Sequence, residues 1–94
     1  MLSMVSKQKA SEEEQSEMLD LQAATDLNMA TAFFMQKKYE KCIQKATLSL
    51  NLKKSIKAFY RRGKAYGALE RFEDAAKDMK AAVMLDTQDP NDIQ

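Results

Sequence analysis

Residues 58–86 read AFYRRGKAYGALERFEDAAKDMKAAVMLD, and this stretch decides the fold. Its two halves carry apolar and small residues at helical spacing, and Ser55 can cap the first of them. The spacing predicts two helices, about Ile56–Leu69 and about Phe72–Asp86, joined by a short connection. The residues expected to face inward are Ile56, Phe59, Tyr60, Gly63 and Tyr66 in the first helix, and Phe72, Ala75, Ala76, Met79, Ala82 and Val83 in the second.

The sequence N-terminal to this stretch has the same organisation. Helices are predicted from about Glu17 to Gln36 and from about Tyr39 to Leu52. Strong helix formers dominate the composition, and apolar and polar residues never alternate over the length of a strand. The sequence therefore predicts an all-α fold with about four main helices. The inward-facing residues of the first two helices are expected to be Leu19, Ala23, Leu27, Ala30 and Phe34, with Met29 and Phe33 beside them, and Tyr39, Cys42, Ile43, Ala46 and Leu50.

The two helix pairs match each other after a shift of 33 residues. A helical hairpin that recurs at about 34 residues is typical of a helical solenoid, in which stacked hairpins bury a continuous core. Gly63 and Gly67 lie four residues apart in mid-helix and predict a close helix contact or the floor of a groove. The matching pairs include Ala30 and Gly63, Ala32 and Ala65, Phe33 and Tyr66, Tyr39 and Phe72, Cys42 and Ala75, and Leu50 and Val83.

The sequence divides into a lead segment at 1–16, two helix hairpins at 17–88 and a terminal segment at 89–94. The lead segment is either the end of a preceding helix or a flexible linker. Ser11 and Ser16 are alternative N-cap residues for the helix that follows, and Ser11 can form a capping box with Glu14. The terminal segment begins at Asp89-Pro90 and is either the start of a truncated capping helix or a tail.

The composition argues against several classes of function. The 94 residues carry 15 Lys and Arg against 14 Asp and Glu, so a net charge of +1 gives no strong attraction to nucleic acid or lipid. His is absent, which removes the commonest general base and metal ligand. The single Cys42 is expected to be a buried thiol in a reducing, cytoplasmic compartment, and no run is long and apolar enough for a membrane span. We therefore expect a binding module and not an enzyme, with no cofactor and no metal site.

The segments at 58–66, 72–76 and 82–86 resemble a tetratricopeptide repeat (TPR). Thr87 stands where that family usually has Pro, and the first hairpin fits the pattern less closely than the second. The resemblance covers about residues 17–88 and implies a right-handed α-solenoid of antiparallel hairpins, about two repeats long. The family's small, aromatic and alanine positions are met at Phe59, Gly63, Tyr66, Phe72, Ala75 and Ala82.

A positively charged stripe on the third predicted helix is the main candidate for function. Lys57, Arg61 and Lys64 lie at positions i, i+4 and i+7 and project from one side, whereas Arg62 points about 100° away. Asn28 occupies the position of Arg61 one hairpin earlier, so the two are expected to be adjacent on the inner surface of the stack. An amide and two cations that converge on a groove suit a carboxylate. The alternative is a solvated face that acidic neighbours balance.

The segment KAFYRRG at 57–63 is similar to part of the carboxylate clamp in immunophilin-type co-chaperones of the TPR family. That resemblance implies a peptide-binding adaptor, which grips the acidic C-terminal Glu-Glu-Val-Asp tail of a 70- or 90-kDa heat-shock chaperone. By that motif Asn28, Lys57 and Arg61 are clamp residues. The full set of predicted peptide-binding residues is Asn28, Lys57, Arg61, Lys64, Phe34 and Tyr60.

The alternative function is a structural or oligomerising TPR segment that binds no tail. The family's clamp also takes a Lys and an Asn from a preceding repeat, and this sequence has neither at a matching place. We therefore expect a truncated piece with an incomplete clamp. Two repeats without caps, a disulfide or a metal leave little margin of stability. Marginal stability, or self-association through uncapped apolar residues such as Ile56 and Leu85, is the expected result.

Overall fold

The computed structural model describes residues 11–87, which form four α-helices and, within that range, no strand. Our numbering is α1 (Glu12–Met35), α2 (Tyr39–Leu52), α3 (Ile56–Ala68) and α4 (Phe72–Thr87). The helices pack as two sequential antiparallel pairs, which confirms the predicted all-α class. The expectations for a preceding hairpin at the N-terminus and for a capping helix from Asp89 lie outside the described residues.

Helix α1 begins at Glu12, five residues before the predicted start, because Ser11 is its N-cap. The Ser11 hydroxyl accepts a hydrogen bond from the Glu14 N–H at 3.1 Å, and the Glu14 carboxylate accepts one from the Ser11 N–H at 2.9 Å. This capping box satisfies two backbone donors that the first turn leaves free. The other candidate cap, Ser16, therefore lies inside the helix.

The two hairpins turn in the same way. Lys37 and Glu70, which are 33 residues apart, both adopt a left-handed backbone conformation, with φ of 64° and 63°. In each turn the next N–H reaches back to the last turn of the helix: that of Lys38 donates to the Phe33 carbonyl, and that of Arg71 to the Tyr66 carbonyl. This is the hydrogen-bond pattern of the Schellman motif, which ends a helix and reverses the chain. The repeat seen in the sequence is thus a repeat of backbone geometry as well.

The core lies where the first hairpin meets α3. Its small and medium side chains let the helix backbones approach closely, and aromatic rings close the margin of the core. Its buried members are Ala30, Cys42, Ile43, Ala46 and Ala65, and the half-buried residues packed against them are Phe33, Phe34, Tyr39, Tyr66 and Leu69.

Several predicted inward-facing residues are exposed, and three polar residues are buried instead. The side chains of Phe72 and Val83 on α4 are 66% and 61% exposed, because within residues 11–87 no further helix packs on that side. The buried polar residues are Asp26, Ser49 and Asp78. The hydroxyl of Ser49 donates to the Ala23 carbonyl at 2.8 Å, which joins α2 to α1. The apolar pattern of a helix predicts which face turns toward its neighbours. It does not predict what fraction of each side chain on that face the neighbouring helices bury.

Gly63 provides the close helix contact that the sequence predicts, and Gly67 does not. A Cβ atom at Gly63 would lie 2.9 Å from the Met79 methyl carbon and 3.2 Å from the Asp78 Cβ atom, so α4 passes directly against it. A Cβ atom at Gly67 would meet no atom within 4 Å. The two glycines therefore have different roles although they share one helix face.

Candidate functional site

A pocket of about 360 Å³ lies between α1 and α3. The wall formed by α1 is uncharged, and the wall formed by α3 carries two cations and a tyrosine ring. Four of the lining residues belong to the predicted peptide-binding set: three lie on α3 and one on α1. The residues that line the pocket are Leu27, Asn28 and Thr31 on α1, and Lys57, Tyr60 and Arg61 on α3.

The placement of Asn28 beside Arg61 follows from the repeat. The two residues are 33 positions apart, so they occupy equivalent places on α1 and α3, the first helices of the two hairpins. Helix α1 contacts α3 directly, and the pocket forms along that contact. Asn28 is exposed and Arg61 is half-buried. An amide that can donate or accept and a guanidinium that only donates therefore meet in one cleft.

Three of the four cations of α3 have no acidic partner within residues 11–87. The ion pairs in this range are Lys53–Asp20, Arg62–Asp78 and Arg71–Asp74, and none of them includes Lys57, Arg61 or Lys64. The sequence left open a solvated face that nearby acids balance. Asp74 is one acid that could have balanced these charges, but its carboxylate oxygen lies 3.1 Å from an Nη atom of Arg71. Three positive charges on one face of α3 thus remain available to a ligand.

Phe34 and Lys64, two of the predicted peptide-binding residues, lie outside the pocket lining. The guanidinium carbon of Arg61 lies 4.9 Å from the centroid of the Phe34 ring, so Phe34 contacts a pocket residue without lining the pocket. The ammonium nitrogen of Lys64 lies 5.9 Å from the centroid of the Tyr60 ring. Tyr60 itself is exposed and lines the pocket, although its spacing also fitted an inward-facing residue.

Arg62 joins three helices and takes no part in the pocket. Its Nε and Nη2 atoms donate to the two carboxylate oxygens of Asp78 at 2.8 and 2.7 Å, and its Nη1 donates to the Thr47 hydroxyl at 3.1 Å. The hydrogen bonds to Asp78 raise the pKa of Arg62. The helical spacing correctly predicts that Arg62 points away from the charged stripe, but it does not identify Asp78 as its buried partner. The signal was present: Asp78 is an acid on the otherwise apolar and small face of the next helix.

Cys42 is fully buried beneath this region, as the sequence predicts. Burial raises the pKa of the thiol, and the positive charge of Arg61 acts in the opposite direction. A buried thiol with a raised pKa is a poor nucleophile, because the thiolate is the reactive form. Cys42 therefore contributes packing to the site and no chemistry.

The lining of the pocket offers positive charge and hydrogen-bond donors of the kind that suit an anion. Arg61 offers a planar fork of N–H donors, Lys57 adds a compact charge, and Asn28 can donate to an oxygen. The Thr31 hydroxyl already donates to the Leu27 carbonyl at 3.0 Å, so it can only accept from a ligand. A carboxylate with a short apolar neighbour fits this combination, because Leu27 and Tyr60 supply apolar surface.

A second, smaller cleft of about 200 Å³ lies between α3 and α4. Its lining is mainly apolar and consists of Lys54, Phe59, Ala81, Met84 and Leu85. Ile56 and Met84 are exposed on this side of the hairpin. The sequence predicts self-association through this surface, which includes Leu85. None of the helices between Glu12 and Thr87 has the length and apolar character needed to cross a bilayer.

The fold is a stack of helix hairpins and is consistent with about two tetratricopeptide repeats. A groove with two cations in its lining lies between α1 and α3, the first helices of the two hairpins. Over 67 residues, which are 70% of this chain, the sequence is 34% identical to outer envelope protein 61 of Arabidopsis thaliana. The chain spans 12% of the length of that relative. No protein-family profile and no solved structure matches the chain.

Proposed function

We propose that this chain is a peptide-binding adaptor whose α1–α3 groove captures the C-terminal carboxylate of an acidic tail. The observation that carries the proposal is the lining of one pocket by Asn28, Lys57 and Arg61, with no acid paired to either cation within residues 11–87. Arg61 grips the carboxylate, Lys57 adds charge, and Asn28 donates to an oxygen or to the peptide backbone. Lys64 and Tyr60 extend the binding surface along α3.

The tail in this proposal is Glu-Glu-Val-Asp, the C-terminal sequence of the 70- and 90-kDa heat-shock chaperones. The support is the similarity of residues 57–63 to the clamp segment of TPR co-chaperones, together with the groove just described. A chain that binds such a tail would act as a co-chaperone in the cytoplasm. Charge-assisted hydrogen bonds supply the affinity, and contacts to the valine side chain along Leu27 and Tyr60 add specificity.

Calorimetry with a free-acid and an amidated Glu-Glu-Val-Asp peptide, each at two salt concentrations, tests the proposal. We expect the free acid to bind, the amide to lose binding, and higher salt to weaken it because exposed charges are screened. Arg61→Ala and Lys57→Ala should each weaken binding by about tenfold or more, since hydrogen bonds to charged groups contribute roughly 1.5–3 kcal/mol. Circular dichroism should show unchanged helicity in both variants.

The matched control is Lys77→Ala, which removes one positive charge from an exposed position on α4, away from the groove. It should bind the free acid as the parent does. Equal binding of the free acid by the Lys57→Ala/Arg61→Ala double variant and by the parent would show that the groove is not the binding site.

The apolar cleft between α3 and α4 favours a second candidate function, that of a structural segment that associates with another subunit. The cleft, the exposed Met84 and the exposed Ile56 are the observations behind it. Amidation of the tail separates the two functions, because it abolishes capture of a carboxylate and leaves subunit association unchanged.

A further inference from the structure

An aromatic ring, and no acid, holds the groove arginine in place. Arg61 is half-buried, yet its side chain forms no hydrogen bond and no ion pair within the described part of the chain. The guanidinium lies over the Phe34 ring, with its carbon 4.9 Å from the ring centroid. We propose that Phe34 is a positioning residue for the groove, which fixes the Arg61 guanidinium without using its N–H donors. This inference rests on the proposed function.

The Phe34 ring is itself held firmly. Tyr39, the first residue of α2, meets it edge to face, with centroids 5.5 Å apart and ring planes at 68°. Both rings are half-buried and pack against the core cluster that contains Ala30 and Cys42. The support for Arg61 thus runs from the core through Tyr39 and Phe34, and it involves no flexible side chain.

The kind of support matters because a ligand needs the donors of the guanidinium. The face of an aromatic ring attracts a cation through its quadrupole and offers no hydrogen-bond acceptor in the guanidinium plane. The five N–H groups of Arg61 therefore stay free for a carboxylate. A side chain already confined near its bound position also loses less rotamer freedom when the ligand arrives.

The neighbouring Arg62 shows the opposite arrangement in the same helix. Asp78 and Thr47 take hydrogen bonds from three of its nitrogens, and Asp78 neutralises its charge. An arginine held in that way has few donors left for a ligand. The contrast supports separate roles for two adjacent residues: Arg62 fixes the helix, and Arg61 is held ready by Phe34.

The test is Phe34→Leu, which keeps an apolar side chain and removes the ring. We expect the free-acid Glu-Glu-Val-Asp peptide to bind about 3- to 10-fold more weakly, since the cation–π attraction that fixes Arg61 is lost. Phe34→Tyr keeps the ring and should bind as the parent does. In an Arg61→Met background, Phe34→Leu should weaken binding no further, because the residue on which it acts is absent.

Phe33→Leu is the matched control. Phe33 is the preceding residue of α1, packs against the same core cluster, and has the ammonium of Lys41 5.7 Å from its ring centroid. Losing this ring removes similar packing but leaves Arg61 untouched, so binding should stay within about twofold of the parent. An equal loss of affinity in the two leucine variants would mean that Phe34 acts through general core packing, and would overturn the proposal.

Nuclear magnetic resonance separates this inference from the function on which it rests. The Arg61 Hδ and Hε protons should be shifted upfield by the Phe34 ring current in the parent and in Phe34→Tyr, and should lose that shift in Phe34→Leu. If the parent binds no free-acid peptide, the proposed function fails, and with it the positioning role. If the parent binds the peptide but its Arg61 protons show no ring-current shift, the groove function stands and the role of Phe34 is refuted. Should Phe34→Leu not fold, the parent and Phe34→Tyr spectra still decide.

Discussion

Arg61 and Arg62 are adjacent, but their surroundings give them different capacities. The Arg62 side chain is 20% exposed and is engaged by an aspartate whose own side chain is only 5% exposed. Arg61 is held by a ring and keeps its donors. A rotation of about 100° around the helix axis thus separates an arginine that joins three helices from one that lines the groove. Single positions on α3 should therefore separate stability from binding.

The two glycines of α3 have different surroundings, so replacing each with alanine should have opposite effects on stability. Gly67→Ala should raise the free energy of unfolding by about 0.5–1 kcal/mol, since the added methyl group meets no neighbour and reduces the freedom of the unfolded chain. Gly63→Ala should lower it by up to about 2 kcal/mol, because the added methyl group would lie 3.2 Å from the Asp78 Cβ atom and 3.4 Å from the Ala75 carbonyl oxygen, and this crowding outweighs the gain in helix propensity. Urea titration followed by circular dichroism measures both. A larger stability gain from Gly63→Ala than from Gly67→Ala would contradict the close contact with α4.

One charged contact links α2, α3 and α4. Arg62 on α3 reaches Asp78 on α4 and Thr47 on α2, and Gly63 next to it lets α4 approach. The Arg71–Asp74 pair offers a comparison, since it bridges one turn at the start of α4 with side chains 48% and 39% exposed. A buried pair between helices and an exposed pair within one turn should contribute very differently to stability.

Arg62→Met should destabilise the fold by roughly 3 kcal/mol or more, because it leaves the Asp78 carboxylate buried without a partner. Arg62→Met/Asp78→Leu should recover most of that loss, since it removes both charges together. Arg71→Met should cost less than about 1 kcal/mol. Thermal and urea unfolding of the three variants provides the measurement. If Arg62→Met and Arg71→Met prove equally mild, the contact with Asp78 does not hold the helices together.

The sequence predicts the helices and four of the residues that line the groove. It does not predict features that depend on a contact between distant residues, such as the Arg62–Asp78 pair. Periodicity placed α2, α3 and α4 to within about a residue or two, and the 33-residue shift brought Asn28 next to Arg61. Helix α1 begins five residues before its predicted start, because the capping box of Ser11 and Glu14 extends the helix through a stretch whose composition also fits a linker. The position of Asp78 on the apolar and small face of α4 indicates its burial, whereas the hydropathy of an acid alone predicts exposure. Its burial depends on an arginine 16 residues away in sequence.

For the whole molecule, the net charge of +1 conceals a strong separation of charge. Helix α1 has four Glu and two Asp and no basic residue, whereas α3 has two Lys and two Arg and no acidic one. The groove lies between these two helices, so we expect the anionic ligand proposed above to be attracted to the α3 wall. Salt should accordingly weaken ligand binding far more than it weakens association through the apolar cleft on α3 and α4.

The apolar cleft between α3 and α4 predicts that the chain self-associates. A stack of two hairpins has little margin of stability on its own, and burying apolar surface against a second copy would raise it. We expect sedimentation to show a dimer that forms with rising concentration, and a melting temperature that rises with it. Met84→Glu should abolish both effects, because it places a charge in the lining of the cleft.

The control for this prediction is Met35→Glu, which introduces the same charge at a residue 75% exposed, at the end of α1 and outside the cleft lining. It should leave dimer formation unchanged. Met84→Glu should also leave capture of the free-acid peptide intact, since the groove is lined from α1 and the opposite side of α3. A chain that sediments as a monomer at every concentration and melts above about 60 °C, which is high for a mesophilic domain, would show that two hairpins are stable without a partner.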